Sequence, residues 1–491
     1  MVQRATRLTG TGAHTQLLER AFARARAEQD LPTGFSAEVL AEVERAVDGP
    51  DLPERDETQV PFVTIDPPGS MDLDQAMHVE RDGDGYRVRY AIADVPAFLQ
   101  EGGALDAEVR RRGMTVYCPD VRVPLHPPLL SEGAASLLPG EVRPAYVWDM
   151  RLTPEGERDS ADLYRAMVRS VRRYTYEEVQ SLVDDGRAEP TLSLLKEVGE
   201  LRIRREDDRG GASLPMPEQE VEVDVDGHYH LRLRPLLPAE DWNAQISLLT
   251  GMVAARIMID AGTGILRTMP SPDGGSVARF RREARALGVP WPEDLTYGRF
   301  LRTLDRDDPA HLAIINAATS LFRGAGYTVL DGTSPAEEDL VQAAIAAPYT
   351  HTTAPLRRLV DRFSLAVCEA LVNGREVPAW ASAALPALPE LMSEADRRTR
   401  AVERSCVSAV EAAVLADHVG GTFDAVVVDV ARRGDVVVQL LDPPVSELAR
   451  GRAEPGTEVQ VEVVGVDVLS GSVDLRVLGG DDTAGVAESP A

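Results

Sequence analysis

Val60-Pro-Phe-Val-Thr-Ile-Asp66-Pro-Pro-Gly-Ser-Met-Asp72-Leu-Asp74-Gln75-Ala76 decides how the rest of the chain is read. Val60 to Ile65 has the β-branched and aromatic content of a short buried strand. Pro67-Pro68-Gly69-Ser70 reads as a turn, and Ala76-Met77-His78-Val79 as a returning strand. Asp66, Asp72 and Asp74 fall on the loop between them, and loops held on a rigid scaffold are where sites usually sit. Carboxylates gathered at one point suit a hard divalent cation, which takes oxygen ligands. Such cations activate water and steady the oxygens of a phosphodiester during in-line displacement. Gln75 stands where a further acid would complete the set. With 80 Asp and Glu in 491 residues, three acids at these offsets arise by accident roughly twice, so an acidic surface turn is the competing reading. The strand-turn-strand frame is what favours a site.

Outward from this loop, Thr64-Ile-Asp-Pro-Pro-Gly-Ser-Met-Asp-Leu-Asp74 resembles the signature of the ribonuclease II / ribonuclease R family, whose catalytic unit is the RNB domain. The similarity continues in order through Tyr90-Ala-Ile-Ala-Asp94-Val95, Leu105-Asp106 to Arg111-Arg112-Gly113, Tyr117-Cys-Pro119-Asp120 and Pro124 to Leu138. It resumes at Val168 to Tyr176, at Arg209-Gly210 to Pro217-Glu218, and at Tyr349-Thr-His-Thr-Thr-Ala-Pro355-Leu-Arg357-Arg358-Leu-Val-Asp361. Collinear motifs over roughly residues 55–410 are more specific than any one alone. The resemblance implies an α+β architecture: an RNB-type α/β domain with a mixed sheet and helices around an RNA channel, a C-terminal OB-type barrel, and a short N-terminal helical segment.

Local pattern divides the chain compatibly. Residues 13–47 read as one or two amphipathic helices broken at Pro32-Thr-Gly34, within a segment taken as 1–55. The catalytic domain is placed at 56–420. It alternates strand and helix signals to about residue 180, then shows a hairpin with an Asp226-Gly227 turn, and is mostly helical from about 238. Pro355 reads as the first-turn proline of a helix opening at Ala354. Valine-rich runs at 421–479 predict a small antiparallel barrel or sandwich of OB type, and 480–491 a disordered tail. Little Arg or aromatic residue marks those strands, so the barrel is either an RNA guide or a structural cap. Residues before 55 leave no room for the cold-shock barrels that many family members carry.

A hydrophobic fraction of 44% suffices for a large core, no apolar run approaches membrane-spanning length, and no signal peptide is read. Cys118, Cys368 and Cys406 are too few and too scattered for a disulfide framework or zinc site, so a reduced cytoplasm is expected. The chain is also expected to be a monomer. The net charge of −28 argues against non-specific coating of nucleic acid. Arginines nevertheless cluster at 110–112, 169–173, 202–205, 279–285, 357–358 and 397–400. They either line a groove that holds phosphates or sit in surface ion pairs.

By resemblance, Asp66, Asp72 and Asp74 are the carboxylates for magnesium (manganese being the alternative ion) and for the 3′-terminal ribose. Asp74 is the one implied to be indispensable. Gln75 occupies the remaining acid's place; its carbonyl can coordinate magnesium but brings no charge. Arg357 matches the arginine placed against the scissile phosphate, where a planar fork grips two oxygens; pairing with Asp361 is the alternative. Arg358 and Arg112 are further RNA contacts. Tyr117 either packs on a 3′-end base or is a half-buried core tyrosine. Glu403 matches a family glutamate loosely, and His351 is a packing or phosphate-contacting residue. The helix around Trp242-Asn243-Ala244-Gln245 lacks the paired glutamates usual there, leaving Asn243 or Gln245 as weak polar contacts. His228 and His230 read as exposed.

The expectation is therefore a magnesium-dependent 3′→5′ exoribonuclease acting processively on single-stranded RNA and releasing nucleoside 5′-monophosphates. An RNA-binding pseudo-nuclease, favoured by Gln75, and a phosphodiesterase of small nucleotides are the alternatives.

Overall fold

The computed structural model describes residues 5–7, 12–211, 218–223, 229–234, 236–305, 308–319, 321, 323–332, 336–431, 434–443 and 445–479. At its centre Phe62–Ile65, Gln75–Asp82, Gly85–Ala93, Val142–Leu152 and Arg158–Tyr174 form a closed five-stranded barrel in chain order. The first strand closes it by pairing parallel to the last, with Val63 opposite Arg172 and Ile65 opposite Tyr174. The other pairings are antiparallel. Period-two patterning explains the third strand: Tyr86, Val88 and Tyr90 are buried while Arg87 and Arg89 face partly outward. Trp148, Tyr90 and Phe62 are among the largest fully buried side chains of the core.

Helices Pro190–Asp208 and Pro238–Ala261 pack on one another, and Leu359–Val372 lies against the second of these and the last barrel strand. Contrary to the sequence expectation, Pro238–Ala261 is long and apolar enough to cross a membrane by length and composition. Its place explains the composition: Trp242, Ile246, Leu249, Val253, Ala254 and Met258 are buried in the main core.

Within the N-terminal stretch, helices Gly12–Glu28 and Ala37–Asp48 flank the predicted break, and Ser36 caps the second by accepting the Val39 N–H at 3.3 Å. Leu18 and Phe22 join the core built by Leu388–Ala416 and the C-terminal barrel, whereas Val39 and Val43 join the main core. A strand at Ala5–Arg7, absent from the sequence reading, pairs with Tyr229–Arg234. That strand also pairs with Glu218–Val223 as the predicted hairpin; its Asp226-Gly227 turn, His228 and the 480–491 tail lie outside the described residues, as does the His230 side chain.

Thr422–Val430, Val436–Leu440, Ser446–Arg450, Glu458–Asp467 and Ser472–Val477 close a second five-stranded barrel. It is not wholly antiparallel as expected. The third and fifth strands run parallel, with Ala449 opposite Leu475. Alternate residues Val436, Val438 and Leu440 fill its interior.

Candidate active site

The aspartate loop is tied at both ends before any side chain reaches a ligand. Asp66 N–H donates to Tyr174 C=O on the closing strand at 3.1 Å. Gly69 at φ +81° permits the turn, a conformation costly for residues with a Cβ. On the return, Ser136 Oγ accepts the Leu73 N–H at 2.9 Å and donates to Met71 C=O at 2.6 Å. Asp74, only 4% exposed, then points at a segment 282 residues away: its Oδ1 accepts the Leu356 N–H at 2.7 Å. Its Oδ2 lies 3.4 Å from Arg357 Nε. The two motifs most telling in sequence thus meet.

The 354–358 segment is a turn rather than the expected helical start; the helix begins at Leu359. Asp361 Oδ1 accepts Ala354 N–H at 2.7 Å and Asp74 accepts Leu356 N–H, while the Arg357 and Arg358 N–H groups turn back onto Ala354 C=O at 3.2 and 2.9 Å. The pairing with Asp361 falls to Arg358, whose Nε and Nη2 each donate at 2.9 Å. Arg358 is therefore spent inside the fold, which corrects its assignment as a free phosphate contact. Arg357 remains 44% exposed in its side chain, and no acceptor among the described residues holds its terminal nitrogens.

Burial pushes the Asp66 carboxyl up to about 7 and the Asp74 carboxyl up to about 8. The Arg357 guanidinium opposes the shift at both, while the negative charge of Asp72 adds to it. Two desolvated carboxylates sharing one half-exposed arginine lack positive charge, and a divalent cation would provide it. No three His, Cys, Asp or Glu side chains stand ready as a metal cage among the described residues. Magnesium, however, is commonly held by one or two carboxylates plus substrate phosphates and water, so Asp66 and Asp74 fit it. Because these pKa values are raised on folding, the folded chain binds more protons than the unfolded one between about pH 4 and 8. Metal-free stability, and with it the melting temperature, should therefore fall as pH rises through that window, and magnesium should remove the fall. Thermal unfolding near either end of the window, with magnesium or with chelator, measures this.

Asp72 is not turned to the same point. Its Oδ1 accepts from Arg122 Nη1 at 2.6 Å and its Oδ2 from Tyr117 OH at 3.2 Å. Arg122, which also pairs with Glu132, was missed in sequence because it is a lone arginine in a two-residue strand. Gln75 departs furthest from expectation. Its Nε2 donates to Thr353 C=O at 2.6 Å and its Oε1 accepts from Tyr90 OH at 2.7 Å, with Tyr90 also bonded to Ser247 Oγ at 2.7 Å. Both ends of the amide are engaged with protein, so it latches the barrel to the Arg357 turn and does not present a metal ligand.

Tyr117 stands 48% exposed beside Asp72, so it is not a core tyrosine. His351 is held by Tyr327 OH at 2.7 Å, and burial keeps its pKa well below the usual value, so it carries no charge for a phosphate. Arg112 is a correction: it is buried, bonded to Glu108 Oε1 at 2.7 Å and to Pro124 C=O at 2.9 Å, and packed 3.8 Å from the Phe35 ring centroid. Glu403 is exposed on Leu388–Ala416, and no hydrogen bond or ion pair joins it to the site. Asn243 Nδ2 reaches Tyr176 OH at 3.3 Å, while Gln245 is spent on Glu206 at 2.7 Å. A cavity of about 240 Å³ lined by Tyr146, Arg165, Arg362 and Trp380 contains none of the residues read as the site.

Comparison with known proteins identifies the family. The RNB domain family matches residues 54–372, and the RNase II-type exonuclease C-terminal S1 domain matches residues 421–478. Ribonuclease R of Thermotoga maritima is 26% identical over 410 residues, covering 79% of this chain and 56% of that protein. Ribonuclease R of Escherichia coli is 28% identical over 319 residues, 62% of this chain and 38% of that one. The chain thus spans about half or less of the curated relatives it matches. In fold it is similar to Mycoplasma genitalium RNase R in complex with ribose-methylated single-stranded RNA, with a TM-score of 0.82 at 16% identity over 93% of this chain and 77% of that one. Yeast Ssd1, a pseudonuclease, matches with a TM-score of 0.66 at 16% identity over 84% of this chain and 52% of that one.

Proposed function

This chain belongs to the RNB-domain family of ribonuclease II and ribonuclease R, and from that premise we propose that it is a magnesium-dependent 3′→5′ exoribonuclease. It would hydrolyse single-stranded RNA processively to nucleoside 5′-monophosphates. The observation that carries this reading is the convergence of partly buried Asp66 and buried Asp74 on half-exposed Arg357. Asp66 and Asp74 would hold the magnesium ion, which when bound supplies positive charge to phosphoryl oxygens and acidifies water. Arg357 points Nε at Asp74 and keeps its terminal nitrogens free to grip two phosphate oxygens as charge develops. Tyr117, anchored through its hydroxyl to Asp72, offers an exposed ring on which a terminal base of any identity can stack. The fold likeness to an RNA-bound relative supports the substrate class.

The pseudo-nuclease reading keeps one specific support: Gln75 is engaged with protein and leaves two carboxylates rather than three at the metal position. A 5′-labelled oligoribonucleotide separates the two. With magnesium, a ladder shortening from the 3′ end, absent with chelator and blocked by a 3′-phosphate, is the expected result. Stable binding with no shortening would overturn the nuclease reading in favour of the pseudo-nuclease.

A further inference from the structure

The six arginine clusters are not equivalent once folded. Arg110 and Arg111 pair with Asp106 and Glu108, and Arg112 is buried. Arg169 and Arg173 bond the carbonyls of Thr58 and Ser70, and Arg172 lies 4.2 Å over the Tyr174 ring. Arg202 and Arg205 bond the carbonyls of Gly156 and Glu155; Arg398 and Arg400 bond Arg111 C=O and Asp396. Helix Gly274–Ala286 is different. It carries Arg279, Arg281, Arg282 and Arg285 against one acid, Glu283. Arg281 sits 4.2 Å over the Trp291 ring, whereas Arg279, Arg282 and Arg285 are exposed and have no partner among the described residues. At 3.6 residues per turn these three span about 120° of arc, opposite buried Phe280 and Ala284.

This helix is held firmly. Phe280 packs edge-on with Trp291, Tyr297 and Phe300 at 5.8–6.2 Å between centroids. A Cβ on Gly456 would come within 2.6 Å of Leu287 Cδ2, which seats the segment against the C-terminal barrel. The segment grows from the paired strands Thr263–Thr268 and Gly326–Asp331, whose Tyr327 bonds His351 two residues before the Thr353 carbonyl that Gln75 grips. The segment leaves the hairpin at the Thr268 and Gly326 end, and Tyr327 lies one residue inside that end, so the helix stands on a hairpin rooted beside the active site.

We propose that Arg279, Arg282 and Arg285 form a docking surface for the phosphate backbone of single-stranded RNA upstream of the end being processed. The proposal rests on the nuclease reading for its choice of partner. In a chain of net charge −28, three unpaired, co-facing arginines beside the C-terminal barrel match a polyanion laid along the surface. The contact is sequence-independent and adds affinity only for RNA long enough to span from the aspartates to the helix.

The test measures binding, not turnover, and uses the full chain without magnesium. Arg279→Gln/Arg282→Gln/Arg285→Gln is compared with wild type and with Arg256→Gln, an exposed arginine paired with Asp260. Titrating labelled RNA across salt concentrations, the triple variant should reduce the slope of log affinity against log salt by about 2 for long RNA. Its affinity at low salt should fall on the order of tenfold, with the short oligonucleotide and the control variant unaffected. Circular dichroism confirms that the variant folds. An unchanged slope overturns the proposal, and so does an equal loss for short RNA. Wild-type RNA binding combined with lost binding of polyglutamate would assign the surface to an acidic protein instead, also overturning it. Because catalysis is not read, an inactive wild type would refute the nuclease reading while leaving this result to stand or fall separately.

Discussion

Asp74→Asn is expected to lower RNA hydrolysis by about three orders of magnitude while leaving RNA affinity within a few-fold. The substituted amide can still accept the Leu356 N–H through its oxygen, so the turn that carries Arg357 keeps its anchor. What disappears is charge at the most buried point of the site, both toward a bound cation and toward Arg357 Nε at 3.4 Å. Since burial pushes this carboxyl up to about 8, its neutral replacement should also raise the melting temperature of the metal-free protein above neutral pH. That combination distinguishes the site from a structural carboxylate, whose loss lowers stability and activity together. Single-turnover decay, fluorescence anisotropy and thermal melts supply the three readings. Activity within tenfold of wild type would remove Asp74 from the reacting centre, and lost affinity together with a lower melting temperature would make it structural.

How much of this was legible in sequence depends on whether the information was local. The strand entering Asp66, the turn with Gly69 and the strand leaving from Gln75 are fixed by neighbouring residues, and they stand as read. Arg357 and Arg358 were not separable by composition. A turn in which Asp74 and Asp361 capture successive amides decides that one guanidinium folds back and the other faces out. Arg112 looked like its neighbours Arg110, half-buried, and Arg111, exposed, but the helix Ala104–Arg112 turns it inward onto Phe35. Arg122 gave no signal because its partner lies 50 residues earlier. The parallel closures of both barrels likewise depend on strand order, which period-two alternation does not encode.

Gln75 shows the same limit with a larger consequence for function. In sequence its position marked it as a weakened metal ligand; in the fold its amide joins two elements 278 residues apart. Thr353 offers a carbonyl, which only a donor can satisfy, and Tyr90 offers a hydroxyl, which is donated to the other end. A carboxylate at this position could not donate to Thr353 and would set two acceptors against each other. Gln75→Leu and Gln75→Asp should therefore behave alike, lowering kcat by about 10–100-fold with little change in KM or in the magnesium concentration for half-maximal rate. Backbone amides from Thr353 to Arg358 should exchange faster with deuterium in both variants, because the loop has lost its latch to the barrel. A shifted magnesium requirement with unchanged exchange would instead place Gln75 in the metal shell. Faster exchange with unaltered kcat would show that the latch holds the loop without positioning Arg357. The expected pattern makes the absence of an acid here an exchange of roles: two carboxylates are left to the metal, and the third position fixes the arginine that faces the phosphate.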